Sequence, residues 1–333
     1  MNIEEVIHFS KYQRHEINRQ LRYIDFAGRR SVEWPVSNDM YGLLQAVVSL
    51  SGVSCTAEQL QQVIAGTDVE GCDATIAQRC YRVIQMLLAD EVDTTLDESR
   101  IVSIYNMLYS SDVVPNNCKE RVTVASLLSG NKQQVAETKS VASEALNRCV
   151  ELYWICSADG HIHPMVVAAV FLYEFRNTTT FVEGRDLVTI LMMLLLLRRM
   201  GAEWVRLYSP LLVMNEDCVA YRRAIYGGAN GTLGCSEWVK YWVDMIYEAA
   251  RRASRAIAPS LPPATASHKT VLNSRQRAVL DYIGRCQPVK LSDIVVHLHK
   301  ESVNTIKKDL LHLRTLGYIV ADGVQKGTVY YRV

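Results

Sequence analysis

The run Leu187–Leu197, LVTILMMLLLL, is apolar on every side of a helical wheel, and it constrains the fold of this chain more than any other stretch. A helix of that kind belongs at the centre of a bundle, with other helices packed round it. It falls short of the roughly 20 apolar residues that a membrane span needs. Arg185, Asp186, Arg198 and Arg199 also crowd its ends. The reading is therefore a buried helix and no membrane partner. Upstream, Pro164 stands where a helix begins without losing a hydrogen bond, and Ala168, Phe171, Leu172 and Phe175 recur at i, i+3, i+4 and i+7. That spacing gives a helix with one buried face. The loop Asn177–Asp186 feeds the N-terminus of the central helix.

Around this centre, 333 residues suffice for about two domains, and 49% hydrophobic against 21% charged residues is an ordinary globular balance. Nine cysteines form no CxxC pair and leave an odd count. That argues against a disulfide framework or zinc ribbon, and no metal ligand set is read. Reduced thiols and an N-terminus without an apolar signal segment place the expected location in the cytoplasm. Residues 269–333 hold 11 Lys and Arg against 5 Asp and Glu, a net +6, while the remainder holds 25 against 30, a net −5. The small C-terminal part is the basic one.

The stretch from His163 to Gly201 resembles the core of the Fic family, HPxxxAAxxHxxFxxIHPFxDGNGRxxRLLxxLLLxRxG. The matching residues are His163, Pro164, Ala168, Ala169, Phe175, Phe181, Glu183, Gly184, the leucine run, and Arg198 before Gly201. The resemblance implies an all-α Fic-like domain with a short β-hairpin flap. It also implies a scaffold that typically transfers AMP from ATP, with Mg2+, to a hydroxyl on a target protein. The chemistry departs from the pattern. The family's catalytic histidine falls on Thr179, its proline on Thr180, its asparagine on Arg185, its second glycine on Asp186, and its two arginines on Leu187 and Ile190. Threonine cannot act as a general base near neutral pH, and neither Leu187 nor Ile190 can offset phosphate charge. Losing the base alone costs about two to four orders of magnitude in rate. Gly184 and Arg185 remain as a candidate anion or nucleotide site at a helix N-terminus, although Asp186 reads as a repelling charge there. His161 and His163 are the histidines near enough in sequence to be considered as a substitute base, with His163 read as structural.

Self-inhibiting members of the family carry a Ser/Thr-x-x-x-Glu-Gly/Asn helix whose glutamate pairs with the second motif arginine. Here Glu33 is kept, but Arg29 and Trp34 stand at the serine and glycine positions, and the partner arginine is Ile190. Residues 1–110 read as an N-terminal helical region containing this segment: a polar helix over Ile3–Tyr23, then helices over Asp39–Ser49, Thr56–Ile64, Asp73–Ala89 and Leu96–Tyr109. Thr56 and Gln59 form a capping-box pattern. Residues 111–257 are the Fic-like core. Within it, Ser110–Lys139 reads as loop or hairpin around the β-branched Val122–Val124, near 115–136, and Val141–Trp154 as helix. Trp238, Tyr241, Trp242, Met245, Ile246 and Ala249 form one packing stripe.

Residues 258–270 contain three prolines and no periodicity, a linker. From 271 to 333, helices over Ser274–Arg285, Leu291–His299 and Ser302–Leu316 precede strands at Tyr318–Val320 and Val329–Arg332, which resembles a winged helix-turn-helix. Ser302, Asn304, Thr305, Lys307 and Lys308 then face outward on the helix that such proteins place in a major groove. Lys307, Lys308 and Lys326 would meet phosphates, and Asn304 and Thr305 base edges. Three functions stay open. One is a Fic-type regulatory or signalling protein without AMP transfer that binds duplex DNA. Another is a nucleotidyl- or phosphotransferase acting on a protein hydroxyl through rewired residues. The last is a protein-interaction scaffold whose winged helix forms homodimers.

Overall fold

Leu187–Leu197 lies at the centre, and none of its residues is more than 1% exposed. The computed structural model describes residues 7–28, 34–37, 39–109, 132–177, 184–226, 232–257, 272–299, 301–316, 318–322 and 328–332. In chain order the helices of the first part are α1 (Lys11–Gly28), α2 (Met40–Ser51), α3 (Ala57–Ala65), α4 (Cys72–Leu88), α5 (Glu98–Tyr109), α6 (Lys132–Asp159), α7 (Pro164–Asn177), α8 (Arg185–Arg199), α9 (Pro210–Glu216), α10 (Cys218–Tyr226) and α11 (Thr232–Ile257). A single 3-10 turn, Glu203–Arg206, follows α8.

The apolar circumference of α8 is covered by α2, α4, α5, α7 and the 3-10 turn. Its basic last turn is held by backbone: the buried Arg198 donates to the carbonyl of Ala89 (2.8 Å) and Arg199 to that of Thr94 (2.9 Å). Helix α11 packs across α1, α7, α9 and α10. The stripe on α11 is core packing, as its spacing implies. Trp238, Trp242, Ile246 and Ala249 are fully buried, and the two indoles donate to the carbonyls of Ala169 (2.8 Å) and Met165 (3.0 Å) on α7. Caps fall where the sequence places them. Asp39 accepts from the Gly42 N–H (2.8 Å), and Thr56 with Gln59 closes the capping box of α3.

Three stretches differ from the expectation: α1 spans Lys11–Gly28 rather than Ile3–Tyr23, α7 is buried on nearly every side rather than on one face, and the region read as a hairpin opens a helix. Helix α6 begins at Lys132, so 132–139 is helix rather than loop or hairpin. The residues KQQVAETK are mostly good helix formers, and they extend the amphipathic helix that follows instead of pairing as strands. The rest of the expected hairpin, up to residue 131, lies outside the described residues, as does the linker 258–270. No helix among the described residues is long and apolar enough to cross a membrane.

The C-terminal elements are α12 (Ser274–Cys286), β1 (Val289–Lys290), α13 (Leu291–His297), α14 (Val303–Thr315), β2 (Ile319–Asp322) and β3 (Val329–Arg332). The strands form an antiparallel sheet in the order β1-β3-β2, with Val320 opposite Tyr331 and Val289 opposite Tyr330. Three helices followed by two strands match the elements read from the sequence, and β1 is added to them. Val279, Ile283, Ile294, Ile306, Leu313 and Ile319 make a core of its own. The other face of the sheet is not left to solvent. Tyr331 is fully buried, stacks on Phe26 of α1 (4.0 Å between ring centroids, 5° apart), and donates to the Arg22 carbonyl (3.2 Å). Arg19 donates to the Cys286 carbonyl (2.8 Å), and the Tyr247 hydroxyl to that of Gln287 (2.8 Å). The C-terminal unit is thus docked on α1 and α11 rather than hanging from a linker.

Candidate functional site

The ends of α7 and α8 meet at the loop that the sequence singles out. Gly184 caps α8 with φ of 70°, the left-handed region that favours glycine, and a Cβ there would overlap the ring of Tyr109 at the end of α5. Glycine is required at this point twice over. Thr179, Phe181 and Glu183 lie outside the described residues, as does Glu33.

Asp186 is not an unpaired charge. Its carboxylate accepts a hydrogen bond from the Tyr226 hydroxyl (2.7 Å), and the Nε of Arg176 lies 3.1 Å from its other oxygen, at ion-pair distance without hydrogen-bond alignment. The Arg176 guanidinium also covers the Tyr226 ring at 3.8 Å. Arg176 sits in the last turn of α7 and Asp186 in the first turn of α8, so each charge opposes the dipole end it occupies. Burial raises the pKa of Tyr226, with a further push from Asp186, so the phenol remains a donor. The carboxylate in the first turn of α8 is thus held by a guanidinium and a phenol from two other helices.

Leu187 and Ile190 face inward at 1% and 0% exposure. At this end the described residues offer Arg185, a carboxylate already paired, and apolar side chains at the two positions where the family pattern has arginines. Arg185 opens α8, half-buried. His163 is structural. Its Nδ1 accepts from the Met165 N–H (3.2 Å), which leaves Nε2–H to donate to Asp25 (3.0 Å). It also sits at the opposite end of α7 from Arg176, about 20 Å away at 1.5 Å per residue, out of reach as a base. We expect Asp186→Asn to cost roughly 2 kcal/mol, since it leaves the nearly buried Arg176 without its counter-charge. Chemical denaturation of the variant beside Tyr226→Phe, for which about 1 kcal/mol is expected, checks this.

In the C-terminal unit, Ser302 caps α14 by accepting from the Thr305 N–H (3.1 Å), and the two hydroxyls lie 2.8 Å apart. That cap occupies Ser302 and ties Thr305 to it. Asn304, Lys307 and Lys308 are exposed, and no ion pair among the described residues engages either lysine. Lys326 lies outside the described residues. A groove of about 700 Å3 runs between α14 and the sheet, lined by Lys290, Ser292, Lys307, Leu311, Arg314 and Tyr330 among others. Lys290 and Arg314 carry no motif that marks them in sequence. Arg176 and Tyr226 escape a sequence reading for a related reason: Tyr226 lies 40 residues from the carboxylate it holds.

No protein-family model matches the sequence, and no curated protein matches it. Solved structures do. The crystal structure of a Fic family protein from Desulfovibrio desulfuricans is similar over 98% of this chain and 97% of its own, with TM-score 0.53 and 12% identity. A Fic domain containing signaling protein from Bacteroides thetaiotaomicron aligns with 72% of this chain and 97% of its own, with TM-score 0.47 and 15% identity. At such identities the likeness speaks to architecture, and it spans both the helical part and the C-terminal unit: the chain has the fold of a Fic family protein.

Proposed function

We propose that this is a regulatory protein that keeps a Fic scaffold without AMP transfer and acts through duplex DNA bound by its C-terminal unit. The observation that carries the reading is the cluster of Asp186 with Arg176 and Tyr226 in the first turn of α8, above the buried Leu187 and Ile190. A nucleotide's phosphates would have to displace that carboxylate, and Leu187 and Ile190 supply nothing to hold them. The other end of the molecule supports the second half. Asn304, Lys307 and Lys308 lie exposed on α14, and Lys290 and Arg314 extend their positive charge along the adjoining groove.

Salt-dependent binding of the full chain to duplex DNA tests the reading. Lys307→Ala with Lys308→Ala should weaken binding to all sequences and flatten the salt slope by roughly 0.9 per lost contact, about 1.8 for the pair. Asn304→Ala should instead reduce discrimination among sequences. A wild-type protein with no duplex binding at low salt, and dimers that bury Lys307 and Lys308, would replace this reading with the interaction scaffold.

A further inference from the structure

Another strongly basic surface among the described residues lies outside the C-terminal unit. On α1, Lys11, Arg14, His15, Asn18 and Arg22 recur at i, i+3, i+4, i+7 and i+11, and all of them are exposed. The acids of the same helix are turned elsewhere: Glu16 to Arg19 and Asp25 to His163. Among the described residues no ion pair engages Lys11, Arg14 or Arg22. The first 268 residues carry a net −5, so this stripe is not the local share of a basic background.

Its position gives it meaning. The C-terminal unit docks on the neighbouring face of the same helix, with Tyr331 stacked on Phe26 and bonded to the carbonyl of Arg22 itself. Across the seam, exposed Arg285 directly precedes Cys286, whose carbonyl Arg19 holds. The Arg22 carbonyl on α1 thus bonds across the seam, Arg285 on α12 adjoins a residue whose carbonyl does the same, and the α1 stripe runs from Arg22 back to Lys11. From Lys11 to Arg22 the stripe is about 16 Å long, close to five base-pair steps of duplex.

We infer that the outward face of α1, with Arg285, is a second phosphate-binding surface for the same nucleic acid, continuous with the C-terminal unit across the docking seam. The inference rests on the duplex reading above. Phosphate contacts carry no sequence information, so this surface adds affinity and orientation while α14 supplies discrimination. It also gives the docking a purpose: two charged surfaces held in one register on one ligand.

The test uses the full chain and a long mixed-sequence duplex, with binding followed by anisotropy across a salt series. Lys11→Gln, Arg14→Gln and Arg22→Gln together should lower the slope by about 2.7, additional to the loss from Lys307→Ala with Lys308→Ala. The Lys11→Gln, Arg14→Gln pair, remote from the seam, should remove about 1.8 and shows that the effect does not come from undocking. An unchanged slope in the triple variant, with the α14 pair still weakening binding, overturns the inference and leaves the duplex reading intact. Absence of duplex binding by the wild type overturns both. Binding to phosphatidylglycerol vesicles that the triple variant loses, without duplex binding, makes the stripe a membrane-facing surface and likewise overturns the inference.

Discussion

Leu187→Arg combined with Ile190→Arg, which restores the two arginines of the Fic pattern, is expected to leave no stably folded protein. Both side chains are enclosed, at 1% and 0% exposure, against α2, α4, α5 and α7. A guanidinium placed there loses its hydration without a partner, and its extra length overfills a packed site. Breaking a buried pair by leaving one charge alone costs about 3–5 kcal/mol, and two such charges reach the whole stability of a typical domain, about 5–15 kcal/mol. Circular dichroism and soluble yield measure the outcome. A folded double variant with unchanged melting would mean that these positions open toward the α8 N-terminus, and the argument against AMP transfer there would lose its second support.

Tyr331→Ala is expected to cost about 3–5 kcal/mol and to separate the C-terminal unit from the rest. The substitution removes a fully buried ring, its stack on Phe26, its contact with Tyr23 and its bond to the Arg22 carbonyl. The cost falls on the main core that Tyr331 joins rather than on the core of the C-terminal unit, because Ile283, Ile306 and Leu313 pack in a separate cluster. Calorimetry should therefore resolve two transitions in the variant where the parent chain melts as one. A single unshifted transition would show that the Arg19 and Tyr247 hydrogen bonds alone hold the units together.

The central helix was legible because a run without a polar face belongs at the centre of a helical bundle, and α11 because Trp238, Trp242, Ile246 and Ala249 repeat at helical spacing. The C-terminal elements were legible from short-range signals of the same kind. What the sequence hid depends on pairs distant along the chain. In sequence Asp186 reads only as a charge repelling an anion at the Gly184–Arg185 turn, because its partners come from the distant ends of α7 and α10. The alternation of Val329, Tyr330, Tyr331 and Arg332 marked a strand with two different faces, yet nothing local told that Phe26 covers the second one. The start of α6 was missed for the opposite reason. Val122–Val124 suggested strands, but helix formers from Lys132 onward decided the conformation there.

Transfer of label from α-labelled ATP with Mg2+, to this protein or to proteins of a cell lysate, tests the central proposal most directly. The α8 N-terminus predicts no incorporation above a heat-denatured control, both for the wild type and for Asp186→Asn, because neither supplies a phosphate clamp at Leu187 and Ile190. Incorporation by the folded wild-type protein would contradict the account.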